Sequence, residues 1–173
     1  NSNINNYIEL IKYLIDKNYF VIRMGDSSAN KINFTDKNFF DYTQSHINSD
    51  VMDLYLISKC KFFVATQSGI LDTAHMFNKP ILMTNMNEIF CSYPLKKNDR
   101  GIFKTIRIKG QNTSLNLLDY IKMDYSKHNP MKEISEFDFE ENSPEDLYES
   151  ILEFENIYKG KNYDLSENQL KIN

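Results

Sequence analysis

The sequence predicts an α/β domain built on a parallel sheet flanked by helices. Two observations carry that expectation. Short apolar runs, Tyr19-Phe20-Val21-Ile22, Lys61 through Thr66 and Ile81-Leu82-Met83-Thr84, have the look of strands buried on both faces. The last two are joined by Gln67-Ser68-Gly69, a helix pattern carrying Ile70, Ala74 and Phe77, and the turn Lys79-Pro80. Strand, tight turn, helix and strand in that order form a βαβ unit, whose crossover rule implies parallel pairing.

The remaining elements follow in chain order. Ile4, Ile8, Ile11 and Ile15 recur at helical spacing, and Lys17-Asn18 supplies a stop because asparagine tolerates the left-handed cap. After the first strand and a polar loop from Ser27 to Asn33, Phe39-Phe40-Asp41-Tyr42 reads as a short strand. Ser49 or Asp50 then caps a helix with Val51, Leu54, Tyr55 and Ser58 along one face. Beyond Asn85, Tyr93-Pro94 and Lys96 through Gly101 read as a surface loop, and Phe103 to Ile108 as one strand. Thr113 or Ser114 is expected to cap a helix from Leu115 to Met123, Asn129-Pro130 marks a turn, and the alternating acids and phenylalanines from Glu133 to Glu141 suit an edge strand. Ser143-Pro144-Glu145-Asp146 is a helix start with capping serine, proline at the first position and an acid three residues on; Leu147, Ile151, Phe154 and Tyr158 continue it to Gly160. Residues 1–160 are read as a single domain and residues 161–173 as a polar tail.

Composition removes several classes of function. With 41% hydrophobic and 25% charged residues the chain has ordinary globular usage, so its 173 residues suit one domain. The net charge is −4 and arginine occurs only at Arg23, Arg100 and Arg107, so there is no basic stripe for nucleic acid. No apolar run approaches the length of a membrane span. Cys60 and Cys91 make no disulfide framework, which suits a reducing, cytoplasmic setting. The chain starts at Asn1 almost inside a helix pattern, and is therefore expected to be the back half of something longer.

In open parallel α/β sheets ligands bind beyond the carboxyl ends of the strands, where loops lead into helices. Two such points stand out here. Arg23-Met24-Gly25-Asp26 follows the first strand: the arginine offers a fork suited to a pyrophosphate, or pairs with an acid such as Asp26 or Asp50, and Gly25 would let backbone approach a ligand. Thr66-Gln67-Ser68-Gly69 follows the second strand, where Ser68 either caps the helix or donates its hydroxyl to a phosphate oxygen. Both turns are expected on one edge of the sheet.

These segments carry a resemblance. Tyr19-Phe-Val-Ile-Arg-Met-Gly-Asp26, Asp41-Tyr42 through Ser49-Asp50, and Cys60-Lys-Phe-Phe-Val-Ala-Thr-Gln-Ser-Gly-Ile70 followed by Phe77-Asn-Lys-Pro80 together resemble the C-terminal half of a bacterial family of glycosyltransferases related to the GT-B enzymes. The match runs from Tyr7 to about Lys159, and Val21 to Asp26 is also similar, more distantly, to the donor-site arginine motif of fucosyltransferases. The resemblance implies a Rossmann-like donor-binding domain, with an N-terminal acceptor domain missing from this chain. It implies that Arg23 contacts the donor diphosphate, that Gly25 and Asp26 shape the loop, and that Gln67, Ser68 and Gly69 hold the phosphates. Asp50 and Asp53 would lie near ribose or base, although capping by Asp50 is the plainer role. The activity implied is transfer from a nucleoside-diphosphate sugar to a glycan or lipid-linked acceptor at a cytoplasmic site, peripheral to the inner membrane. No cofactor is expected.

GT-B enzymes balance leaving-group charge with helix dipoles and basic side chains, and this sequence has no histidine at metal-ligand spacing and no Asp-x-Asp pair in a loop, so no metal is expected. His46 is the better-placed histidine and His75 the poorer; neither is assigned as the base, which in inverting members commonly comes from the other domain. Lys96, Lys97 and Arg100 make a small basic loop, either near a ligand or simply solvated. Two other readings stand beside transfer: a sugar-nucleotide epimerase of the same architecture, and a non-catalytic nucleotide-binding module.

Overall fold

The computed structural model describes residues 2–87, 94–111, 113–115, 119 and 137–161. A short 3₁₀ turn, Ile4–Tyr7, leads into α1, Ile8–Asp16. The helix buries Leu10, Ile11 and Leu14, so of the expected isoleucine stripe only Ile11 reaches the core while Ile8 and Ile15 stay half-buried. It stops where expected, at Asn18 with φ 63°, a left-handed conformation that asparagine adopts at small cost.

Strand β1, Val21–Arg23, pairs in parallel with β2, Phe39–Asp41, in the register Val21 to Phe39, Ile22 to Phe40 and Arg23 to Asp41. A 3₁₀ turn, Tyr42–Gln44, and a loop bring the chain to α2, Asp50–Lys59. The βαβ unit then appears as the sequence predicts: β3, Phe63–Thr66, α3, Ile70–Met76, and β4, Ile81–Met86, with β3 and β4 parallel. Strand β5, Arg100–Phe103, extends this sheet in the order β3-β4-β5, all parallel.

Alternation along these strands divides the core into two clusters. Val64, Leu82 and Ile102 pack with Leu10 and Leu14 of α1 and with Leu147, Ile151 and Phe154 of α4, Pro144–Tyr158. Phe63, Ala65, Ile81, Met83 and Phe103 pack the other way, against Ile57 of α2 and Leu71 and Ala74 of α3. Helices therefore cover both faces, and every residue of β4 is buried, as a central parallel strand requires. No ladder joins β1 to β3, yet Val21 packs in the first cluster and Met24 in the second, and the Tyr19 and Phe62 rings before the two strands meet edge to face at 5.2 Å. Their residues are only half-buried, so β1 and β3 are less enclosed than the sequence suggested.

Four expectations change. The stretch expected as one strand, Phe103 to Ile108, breaks at Lys104, whose N–H donates to the Met86 carbonyl at 2.9 Å and ends the pairing with β4. The chain then turns into β6, Thr105–Ile108, the centre of an antiparallel sheet between β7, Ser114–Leu115, and β8, Phe137–Glu140. Ser114 and Leu115 are thus extended, so Ser114 starts no helix at Leu115. Beyond them, of the helix expected to Met123 the described residues hold only Asp119, which is helical, the turn at Asn129-Pro130 lies outside the described residues, and the expected edge strand is β8. Arg100 and Gly101, read as surface loop, begin β5. Finally, the α2 face formed by Val51, Leu54 and Tyr55 points outward, with exposures of 77%, 48% and 55%, and Ile57 is the residue that packs. Alpha2 is apolar on more than one side, so periodicity did not identify the buried face.

Candidate functional site

Arg23 ends β1 and Thr66 ends β3, and the segments that follow them, 24–30 and 67–69, carry the residues singled out in the sequence. Arg23 closes β1 directly opposite Asp41. Its Nη1 donates to Asp41 Oδ2 at 2.9 Å and its Nη2 to the Asn30 carbonyl at 2.6 Å, with only 9% of the side chain exposed. The partner is therefore Asp41, not Asp26 or Asp50. Asp41 Oδ1 accepts in turn from the Thr43 hydroxyl at 2.6 Å and amide at 3.2 Å, capping the 3₁₀ turn.

The loop after β1 is bonded at several points. Gly25 has φ 144°, a conformation open to glycine, and a Cβ there would stand 3.3 Å from the Thr43 methyl. Its carbonyl accepts from Asn48 Nδ2 at 2.8 Å, and Gln44 Nε2 reaches the Ser27 carbonyl at 3.4 Å. Asp26 is exposed and accepts from both the hydroxyl and the amide of Ser28; those hydrogen bonds hold its carboxyl below the usual aspartate range. The contacts run on to α2, because the Tyr42 hydroxyl accepts from the Ser49 amide at 2.8 Å. Ser49, not Asp50, is the cap, its hydroxyl accepting from Met52 N–H at 3.4 Å.

At the second turn, Gly69 stands at the N-cap of α3 with no side-chain capping bond. Ser68 is exposed, and its hydroxyl donates to the Thr66 carbonyl at 3.4 Å, so it does not cap the helix. Gln67 Oε1 accepts from Asn87 N–H at 2.7 Å, tying this turn to the end of β4. The two turns approach the same core region: Met24 after β1 and Ile70 after Gly69 pack against one cluster with Ile57.

Between α2 and α3 lies an open groove of about 220 Å³ lined by Asp50, Asp53, Leu54, Ile57, Ile70 and Thr73. Asp53 Oδ1 is buried without a hydrogen-bond partner among the described residues. Asp50 and Asp53 are thus brought to one wall, while His46 is exposed in the loop before Ser49 and His75 is half-buried in α3.

The basic loop belongs elsewhere. Asp99 Oδ1 accepts from the amide of Ile81, the first residue of β4, which places residues 95–99 at the opposite end of the sheet. Lys96 donates to the Lys79 carbonyl and Arg100 pairs with Glu153 at 3.3 Å, so both serve the fold there, and Lys97 is exposed at the same end. Asp41, Asn30 and Asn48 were not anticipated. The Arg23 to Asp41 pairing was the one available signal, and it needs the β1–β2 register. Among the described residues no group of three or more His, Cys, Asp or Glu side chains could hold a metal ion, and no helix is long and apolar enough to cross a membrane. No known protein family, characterised protein or solved structure matches the chain.

Proposed function

We propose that this chain is the nucleotide-sugar-binding domain of a metal-independent glycosyltransferase of GT-B architecture, acting with an acceptor domain outside this chain. The observation that supports it is the direction of the chain on either side of β1 and β3. Strand β1 has β2 as its paired neighbour, and β3 has β4, then β5, in a separate sheet. Setting β1 beside β3, as the 5.2 Å contact of the Tyr19 and Phe62 rings supports, would give the Rossmann-like order β2-β1-β3-β4-β5 with a reversal between β1 and β3. Ligands of open α/β sheets bind at such a reversal, beyond the carboxyl ends of the strands. In that order the reversal would carry Arg23, Gly25 and Asp26 on one side and Gln67, Ser68 and Gly69 on the other.

In this reading the donor diphosphate lies across the two turns, and the sugar moves to a glycan or lipid-linked acceptor at the cytoplasmic side of the inner membrane. The α2–α3 groove, at about 220 Å³, is smaller than the roughly 300–1,000 Å³ typical of whole-ligand pockets, so it suits a single ring of the donor. Asp50 and Asp53 would accept hydrogen bonds from ring hydroxyls there, with Leu54 and Ile70 against the apolar side.

The test is thermal. A ligand at about 100 times its Kd adds about 2.7 kcal/mol, which for a chain of this size is about 5–10 °C in Tm. UDP or GDP is expected to raise the melting temperature by that order, and Arg23→Ala to abolish the shift. No shift with any nucleoside diphosphate overturns the assignment.

A further inference from the structure

We infer that Arg23 is a positioning residue that holds the loop 24–30 against β2 through Asp41, rather than the group that meets the ligand. Three observations carry this. The side chain is 9% exposed, and the guanidinium makes two bonds from different nitrogens, Nη1 to Asp41 at 2.9 Å and Nη2 to the Asn30 carbonyl at 2.6 Å. Only a planar fork makes both at once. The pair closes the last rung of a two-stranded, three-residue ladder, a unit too short to be stable by backbone bonding alone. And Asp41 is not a spare acceptor: its other oxygen fixes Thr43, whose methyl lies against Gly25, while Asn48 bonds the Gly25 carbonyl and the Tyr42 carbonyl.

The connection therefore runs from Asn30 through Arg23 and Asp41 to the turn before α2. Moving the guanidinium toward a phosphate would release Asn30 and leave the Asp41 carboxylate, 22% exposed, without its counter-charge. The hold on the loop stands on these contacts alone; its consequence for nucleotide affinity rests on the function proposed above.

The full chain separates the roles with Arg23→Ala, Arg23→Lys, Asp41→Asn and the double variant Arg23→Ala/Asp41→Asn. Without ligand, each of Arg23→Ala and Asp41→Asn is expected to speed amide hydrogen exchange across residues 24–30 by about tenfold, and the double variant to add nothing further. With UDP or GDP in calorimetry, Asp41→Asn is expected to weaken binding as much as Arg23→Ala. Arg23→Lys, which keeps the charge but loses the fork, is expected not to restore it. Unchanged loop exchange in Asp41→Asn overturns the inference, and so does an Asp41→Asn protein that binds nucleotide as tightly as the wild type while Arg23→Ala does not. If Arg23→Ala fails to fold, Asp41→Asn and Arg23→Lys decide the same question. A wild-type chain that binds neither nucleotide overturns the proposed function, and the exchange experiment still decides the role of Arg23.

Discussion

Glu155 is buried in α4 with both oxygens engaged: Oε1 accepts from Lys159 Nζ at 2.6 Å and Oε2 from the Tyr13 hydroxyl at 2.7 Å. Burial alone would raise its carboxyl, but hydrogen bonds from Lys159, Tyr13 and Tyr19 outweigh that and hold it below the ordinary 4.5. The same contact, added to burial, pushes the Tyr19 phenol up to about 12. A depressed folded-state value means a contribution present above the unfolded value and lost as pH falls through the folded one. Denaturant unfolding at a series of pH values is therefore expected to show stability falling below about pH 4.5. Glu155→Gln should be less stable by roughly 1–3 kcal/mol at neutral pH and decline less steeply in acid. Parallel profiles for the two proteins would remove Glu155 from the acid response. None of this was legible in the sequence, because Tyr13 and Glu155 look like two exposed helix positions until α1 and α4 meet. The same holds for Asn85 and Asn142, 57 positions apart, whose side-chain oxygens accept each other's backbone N–H at 2.6 and 2.7 Å. Asparagines in polar segments read as surface, and only the tertiary fold makes them a buried pair. Arg23 is intermediate: its place at the end of a strand was legible, its partner Asp41 was not.

At the scale of elements, local chemistry was legible and orientation was not. The capping box of α4 forms as written, with the Ser143 hydroxyl accepting from Asp146 N–H at 3.1 Å and the Asp146 carboxylate accepting from Ser143 N–H at 2.9 Å. Everything needed lies within four residues. Likewise the βαβ unit from β3 to β4 is contiguous, so a periodic pattern and two turns specify it. The outward turn of Val51, Leu54 and Tyr55 was not specified, since both sides of α2 could pack and the choice belongs to Leu71, Ala74 and Met83 across the interface. This gives a direct check. Ile57→Ala is expected to cost about 2–4 kcal/mol in urea unfolding, and Tyr55→Ala about 0.5 kcal/mol or less. Equal losses would mean that α2 packs through its other face. Strand β6 failed for a related reason: its longer partner β8 is remote in sequence, its nearer partner β7 is only two residues long, and nothing in Phe103 to Ile108 announces that Lys104 separates two sheets.

For the molecule as a whole, the two clusters differ in how much chain must be gathered to build them. The cluster beneath α2 and α3 draws on Ile57, Leu71, Ala74, Ile81, Met83 and Met86, a span of about thirty residues with Met24 and Phe103 at its margin. The cluster on the opposite face joins Leu10 and Leu14 to Leu147, Ile151 and Phe154, and so closes a loop of more than 130 residues. Loop closure is unfavourable until the contacts it permits are made, so nuclei favour the first kind of cluster. The rate-limiting step of folding is expected to find β3, α3 and β4 assembled while the two end helices are still apart. Stopped-flow kinetics should then give high φ-values for Leu71→Ala and Met83→Ala, and low values for Leu10→Ala and Phe154→Ala, which would chiefly hasten unfolding. The reverse order would show that the chain ends meet first. With the expected order, the edge bearing Gln67, Ser68 and Gly69 takes shape early, and α1 and α4 act last, as the pieces that decide how long the finished molecule survives.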